Sequence, residues 1–227
     1  GSGKSTTAEL ITTALGARQK KKYCWYVSET QSQADQHVES IAAMIENPFI
    51  AYYYPLFAER RMGKYGNVKA WRRNRLRCRN GFTIDAMGLD SARRGSKVEE
   101  QRPDLIIVDD ADGKHDSISV TQKKIATIAT SILPAGSYDT TILAVQNLII
   151  PDGIFSQLAD GRADFLHDRI VSGPFPAVRD LKCEPVDGKY IIKRGEQTWD
   201  GQNLDICQQQ IFTWGYSAFL REAQHEV

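Results

Sequence analysis

Gly1-Ser2-Gly3-Lys4-Ser5-Thr6 opens the chain and matches the second half of a phosphate-binding loop, G-x-x-x-x-G-K-[ST]. The first glycine of that signature, and the strand that would feed it, are expected upstream of Gly1. Gly1 and Gly3 lack a Cβ, so the backbone can curl and aim successive N–H groups at phosphate oxygens. Lys4 offers a point charge for the β- and γ-phosphates, and the Ser5 hydroxyl is suited to ligate Mg²⁺. Thr6 to Leu15 reads as a helix, closed by Gly16, whose amino end favours an anion. The same residues also read as a glycine-serine turn that happens to precede a lysine.

Composition narrows the class. With 227 residues and 41% hydrophobic content the chain can bury a substantial core. Its formal net charge is +1, so any nucleic-acid surface has to come from local clustering of cations. No apolar run reaches the ~20 residues of a membrane span, and no signal peptide is visible. Cys24, Cys78, Cys183 and Cys207 show no C-x-x-C spacing, which predicts free thiols in a reducing compartment.

Moving outward from the loop, Tyr23 to Val27 is an almost continuous apolar run, as in a strand covered on both faces. Ser28-Glu29-Thr30 stands at its carboxyl end, before helical spacing from Ala34 to Ile45. Such polar tips line the ligand crevice of open α/β sheets, and they serve equally as helix caps. From Pro48 to Arg79, Tyr52-Tyr53-Tyr54 and Trp71 are interleaved with Arg60, Arg61, Lys64, Lys69, Arg72, Arg73, Arg75, Arg77 and Arg79. This suits either a polyphosphate backbone or a solvated face of snorkelling side chains. Alternation on both sides of Asn80-Gly81 predicts a β-hairpin with one basic face.

Leu105-Ile106-Ile107-Val108 then runs into Asp109-Asp110. A buried strand ending in adjacent carboxylates needs a compensating partner, because desolvating them is costly. With a phosphate loop upstream, Asp109 would hold Mg²⁺ and Asp110 would polarise the attacking water; a turn made of aspartates that stops the strand is the plainer alternative. Roughly a hundred residues separate Lys4 from Asp109, and they contain a complete strand–helix unit and a hairpin. That spacing fits additional-strand motor ATPases better than nucleotide kinases. Val120 to Leu133 reads as a helix stopped by Pro134, and Thr140 to Val145 as another buried strand. Gln146-Asn147 at its tip either senses a γ-phosphate or begins a loop. A short helix near Ile154 to Leu158, a strand near Asp168 to Val171, a small hairpin at Val186 to Ile192 and helices from Cys207 onward complete the reading.

Taken in order, these motifs resemble the ATPase domain of the large terminase subunit, the DNA-packaging motor of tailed bacteriophages. The resemblance rests on Gly1 to Thr6, Ser28 to Gln31, the Asn80-Gly81 hairpin leading to Arg93-Arg94-Gly95, Arg102-Pro103-Asp104 running into Asp109-Asp110, Val145-Gln146-Asn147, and Tyr216 to Glu226. It implies a P-loop NTPase of the additional-strand, RecA-like type: a mainly parallel sheet flanked by helices, with a β-hairpin insertion and a small C-terminal subdomain. The core would span residues 1–173, and residues 174–227 would lead towards a nuclease lying beyond Val227. It further implies ATP and Mg²⁺ as cofactors, with Gly1, Ser2, Gly3, Lys4, Ser5, Thr6, Gln146 and Asn147 at the nucleotide. Ser5 and Asp109 would hold the metal, Asp110 would be the catalytic carboxylate, and Arg94, in preference to Arg93, would act on a neighbouring subunit's nucleotide. Implied partners are double-stranded DNA, the portal protein, the small terminase subunit and copies of the chain in a ring, typically pentameric, in the host cytoplasm without a membrane. The family usually places Glu where this chain has Asp110, one methylene shorter, and Asp112 is a second candidate acid. A helicase-like translocase and a non-hydrolysing ATP- or DNA-binding assembly module are the alternative readings.

Overall fold

The structure, a computed structural model, describes residues 3–91 and 101–226. Lys4–Ala17 forms helix α1, and Gly3 precedes it in the left-handed conformation (φ 69°) that glycine adopts freely. Gly16 does not end this helix, which runs on to Ala17. Its bare Cα serves packing instead, because a Cβ there would stand 2.5 Å from the ring of buried Phe82. Strand β1 (Tyr23–Ser28) is buried along its whole length, as its unbroken apolar run requires. Helix α2 (Gln31–Ile45) follows and buries Ala34, Val38, Ile41 and Ile45 at helical spacing. Thr30 caps it: its hydroxyl accepts from the Gln33 N–H, and Gln33 returns the bond to the Thr30 N–H.

Two short helices, α3 (Pro48–Tyr53) and α4 (Pro55–Ala58), lead to strands β2 (Trp71–Arg72), β3 (Arg75–Arg77) and β4 (Thr83–Gly88). The hairpin expected at Asn80-Gly81 is present, with β3 antiparallel to β4. Its turn is not a two-residue Asn-Gly reversal. Cys78 N–H donates to the Phe82 carbonyl at 2.9 Å, so Arg79-Asn80-Gly81 forms a three-residue connection with Gly81 at φ 97°. Strand β5 (Leu105–Asp109) is wholly buried. Helix α5 (Ile118–Thr127) continues into a π turn at Ile128–Ile132 and a 3₁₀ turn at Leu133–Ala135, so the helix expected to Leu133 is reached through three hydrogen-bonding patterns. Strand β6 (Thr141–Val145) ends the sheet.

The sheet order is β2-β3-β4-β1-β5-β6. β1 lies parallel to β4 and β5, β5 lies parallel to β6, and only the β2/β3 and β3/β4 pairings are antiparallel. This is an α/β fold with a mixed, mostly parallel six-stranded sheet flanked by helices. On one face Cys24, Tyr26, Ile84, Leu105 and Ile107 pack with α1 and α2. By the two-residue alternation of a strand, Tyr23, Trp25 and Asp85 belong to the other. There the buried Asp85 carboxylate accepts from Tyr23 Oη at 2.6 Å and from Arg75 Nη2 at 2.7 Å. Asp104 accepts from the Lys22 and Tyr23 N–H groups at 2.9 and 2.8 Å, fixing the starts of β1 and β5 to one another.

Two expectations need correction. β6 is not a buried strand: Thr141 and Ala144 are exposed and the other three residues only half-buried, because β6 lies at the sheet margin with no strand beyond it among the described residues. Asp168 to Val171 is irregular rather than a strand, and Ile170 is 97% exposed.

The chain divides into two compact units. The described residues from Gly3 to Gly113, together with Ser119–Gln146, form the first. Lys114–Ile118 and the chain from Asn147 onward form the second, which therefore begins upstream of residue 174. The second unit comprises helix α6 (Ile154–Asp160), a hairpin of β7 (Val178–Val186) and β8 (Lys189–Gln197), and helices α7 (Leu204–Trp214) and α8 (Tyr216–Gln224). Asp187 and Gly188 turn the hairpin with φ 49° and 75°, and the unit's core gathers Val178, Cys207, Ile211 and Phe219. All four cysteines are free. Among the described residues no helix is long and apolar enough to cross a membrane.

The Gly16–Phe82 contact makes a specific prediction. Gly16→Ala should lower the free energy of unfolding by about 1–3 kcal/mol through overpacking, although alanine is the better helix former. Urea denaturation measures this, and an unchanged or raised midpoint would show that the ring yields freely.

Candidate functional site

The carboxyl ends of β1, β5 and β6 meet the start of α1, and a polar cluster forms there around Asp109. This residue ends β5 and is 1% exposed, so both its oxygens have to be satisfied by protein. Ser5 Oγ, in the first turn of α1, donates to Asp109 Oδ1 at 3.0 Å across 104 residues of sequence. Tyr26 Oη, on the neighbouring strand, donates to Oδ2 at 2.7 Å. His37, on α2, places Nε2 3.7 Å from the same Oδ2 and stacks on the Tyr26 ring, with centroids 4.9 Å apart and planes 26° from parallel. Its Nδ1 lies 2.7 Å from Glu9 Oε1, on α1 one turn after Ser5. Desolvation pulls the His37 pKa down, but the Glu9 hydrogen bond and the charges of Asp109 and Glu9 outweigh it and hold the pKa above the ordinary value.

Asp110 follows in the left-handed region (φ 49°), where aspartate is among the few tolerated side chains. Its backbone ties the three strand tips together: its carbonyl accepts from Glu29 N–H at 3.1 Å, and its N–H donates to Val145 O at 3.3 Å. Its carboxyl pKa is raised, first by desolvation and then by the charge of Asp109, while His37 and Lys4 pull the other way. Lys4 feels the same two aspartates. Desolvation lowers its pKa, and the charges of Asp110 and Asp109 oppose that shift. Gln146, at the end of β6, brackets the loop beyond β5: its Oε1 accepts from Asp112 N–H at 3.0 Å, and its Nε2 donates to Asp112 O at 3.1 Å.

The structure thus brings Lys4, Ser5, Asp109 and Asp110 to one place, with Gly3 at the head of α1 and Gln146 on the adjoining loop. Thr6, beside them in sequence, is exposed. Asn147 belongs to the second unit, where its Nδ2 donates to Glu222 O at 3.4 Å. Gly1, Ser2, Arg93 and Arg94 lie outside the described residues. Of the polar tip after β1, Thr30 is a helix cap, Glu29 pairs with Lys124 at 2.8 Å, and Ser28 Oγ is buried without a hydrogen-bond partner among the described residues. Asp112 is buried.

Sequence reasoning missed Glu9, Tyr26 and His37. Tyr26 looked like one more apolar strand residue, and no linear motif marks the other two. The one available signal was the Ser5/Glu9 spacing of four on α1, which puts both on one helical face.

The basic stretch lies largely at the surface, but much of its charge is paired within the chain. Arg60 pairs with Glu46 at 3.1 Å and lies 5.2 Å from the Trp71 ring centroid, Arg73 pairs with Glu39 at 3.5 Å, Arg79 pairs with Glu59, and Arg75 neutralises Asp85. An open cleft of about 700 Å³ beside β2 and β3 is lined by Lys69, Arg72, Arg75 and Arg77. That cleft excludes the Asp109 cluster. We centre the candidate site on the cluster because paired, buried oxygens and a cation converge there.

Among the described residues no group of three or more His, Cys, Asp or Glu side chains is able to hold a metal, so this is no dedicated metal cage. Mg²⁺ needs none, since it takes one or two carboxylates and completes its shell with phosphates and water. Ser5 Oγ and Asp109 Oδ1 are hard oxygens 3.0 Å apart, the edge of an octahedron with bonds of ~2.1 Å. The residues fit that ion. Comparison with known proteins found no matching family model, no matching curated protein and no matching solved structure.

The raised Asp110 pKa carries a stability consequence. The folded chain holds that proton more tightly than the unfolded one, so stability falls as pH rises from the ordinary carboxylate value of 3.8 through the raised one, and stays lower above it. Asp110→Asn keeps the shape and tolerates φ 49°. It should therefore raise Tm at pH 7, modestly because the side chain meets solvent, and the gain should vanish below pH 3.8. Thermal unfolding across this range reads the difference, and a lower Tm at pH 7 would contradict it.

Proposed function

We propose that this chain is the core of a Mg²⁺-dependent ATPase of the P-loop, additional-strand, RecA-like type, acting as the ATPase domain of a terminase-like motor that drives double-stranded DNA into a viral procapsid. The observation that carries the reading is the 3.0 Å bond from Ser5 to Asp109, which joins the end of a G-K-S motif to the first of two aspartates at a strand tip. A serine hydroxyl and a buried carboxylate held at that distance, with Lys4 in the same field, are what a metal-bound triphosphate requires of a protein.

In this reading the Gly3 turn and the first amides of α1 cradle phosphate oxygens, with Gly1, Ser2 and Thr6 completing the loop, and Lys4 neutralises the β- and γ-phosphates. Ser5 and Asp109 would hold Mg²⁺, which would supply charge for the developing phosphate oxyanion. Asp110 accepts the proton of the attacking water, a role suited to a carboxyl with raised proton affinity. Gln146 couples the acidic loop to β6, and Asn147, the next residue, starts the second unit. Arg94 of a neighbouring subunit would complete the site in a ring docked on a portal protein, with the small terminase subunit as a further partner, in the host cytoplasm. The cleft lined by Lys69, Arg72 and Arg77 is the DNA-facing candidate, with phosphates of the duplex as its ligands.

A second reading is favoured by one feature. Asp110 is a methylene shorter than the family's glutamate, which suits a module that binds nucleotide without turnover. Hydrolysis separates the two. The chain should release phosphate from ATP in the presence of Mg²⁺, faster with double-stranded DNA, and Lys4→Ala should reduce the rate at least a hundredfold without unfolding the protein. ATP binding without phosphate release would select the second reading, and an unchanged rate in Lys4→Ala would remove Lys4 from the site.

A further inference from the structure

The cluster contains more than a phosphate loop and a metal carboxylate require. Asp109 uses its two oxygens differently. Oδ1 faces Ser5, and Oδ2 is taken up by Tyr26 Oη at 2.7 Å. The Tyr26 phenol is in turn covered by the His37 ring, stacked at 4.9 Å. His37 is oriented by Glu9, whose carboxylate can only accept, so Nδ1 carries the proton in that 2.7 Å contact. Glu9 and Ser5 lie on the same face of α1, four residues apart. The chain of contacts Ser5–Asp109–Tyr26–His37–Glu9, hydrogen-bonded except for the Tyr26–His37 stack, therefore leaves α1, crosses β5, β1 and α2, and returns to α1. Glu9 is 7% exposed, and a carboxylate so buried is retained at a cost unless it is tied into such a circuit.

We propose that Tyr26, His37 and Glu9 are positioning residues for the cation site: together they lock Asp109 with Oδ2 turned into the protein, so that Oδ1 is the single oxygen presented with Ser5 Oγ to a divalent cation. This rests on the Mg²⁺–nucleotide reading of the same site. The lock fixes the carboxylate before the ion arrives, so a freely rotating Asp109 would bind the same ion more weakly.

The test uses the fluorescent analogue N-methylanthraniloyl-ATP, titrated with MgCl₂ at fixed nucleotide, and separately titrated onto the protein in EDTA. Tyr26→Phe keeps the ring and the stack but removes the donor on Oδ2. His37→Phe keeps the stack but removes both the tie to Glu9 and Nε2, which lies 3.7 Å from Oδ2. Each should raise the half-saturating Mg²⁺ concentration about tenfold, the scale of one hydrogen bond to a charged group, with the EDTA affinity moved less than twofold. Glu9→Gln retains an acceptor oxygen for His37 and should stay within threefold of wild type. A purely structural role would shift the magnesium and the EDTA titrations together, and that result would overturn the proposal; a lower Tm alone is expected in either case, because a buried hydrogen bond is lost. Magnesium dependence that Asp109→Asn abolishes but Tyr26→Phe leaves within twofold would overturn it while the nucleotide reading stands. No magnesium-dependent binding in the wild type would remove both. Should His37→Phe fail to fold, Tyr26→Phe decides alone.

Discussion

A carboxylate at the end of a buried strand cannot be left to itself. Asp109 is almost wholly removed from water, and an uncompensated ion there costs several kcal/mol. The arrangement around it follows from that constraint. β1 is placed beside β5 so that Tyr26 reaches one oxygen, and α1 crosses the strand tips so that Ser5 reaches the other. α2 packs over β1 so that His37 covers the phenol, and Asp104 ties the far ends of the same two strands. The site and the fold are therefore one problem: satisfying Asp109 requires the parallel β1/β5 pair, and that pair carries its polar tips to one edge.

The neighbouring aspartate is the opposite case. Asp110 adopts a backbone conformation that most residues avoid, and it lies beside a charge of its own sign. Strain and like-charge repulsion at adjacent positions are tolerated when the surroundings over-determine them. Here the backbone of Asp110 is bonded to both neighbouring strand ends, so the conformation is held from two sides. A carboxyl whose proton affinity is raised beside a second carboxylate is a frequent mark of chemistry rather than of architecture.

Much of this was legible in the chain. The continuous apolar runs of β1 and β5, the 3.6-residue spacing of α2 and the alternation around Asn80-Gly81 each have a single local explanation, and each forms where expected. The failures are of another kind. β6 has the composition of a core strand, yet its exposure depends on having a neighbour, which no local pattern records. Asp168 to Val171 has too few β-prone residues to override its surroundings, and Ile170 faces solvent. The Asn80-Gly81 turn gained a residue because Cys78 and Phe82 pair across it, a contact set by packing under Gly16. Within the candidate site, the meeting of Ser5 with Asp109 was expected because both stand in short motifs. Tyr26, His37 and Glu9 were not, since their contacts exist only once three elements have been stacked. The arginines mark the converse limit: composition marks a charged surface, and Arg60, Arg73 and Arg79 are exposed, but it does not record that they and Arg75 pair with acids of the same unit.

The proposed function requires Ser5 and Asp109 to share one cation with a nucleotide. A crystal grown with ATP and Mn²⁺ in place of Mg²⁺, and measured at the manganese absorption edge, tests this directly. One anomalous peak is expected within about 2.3 Å of both Ser5 Oγ and Asp109 Oδ1, beside phosphate oxygens that also meet Lys4. Manganese and nucleotide bound elsewhere, with the Ser5–Asp109 hydrogen bond intact, would contradict it.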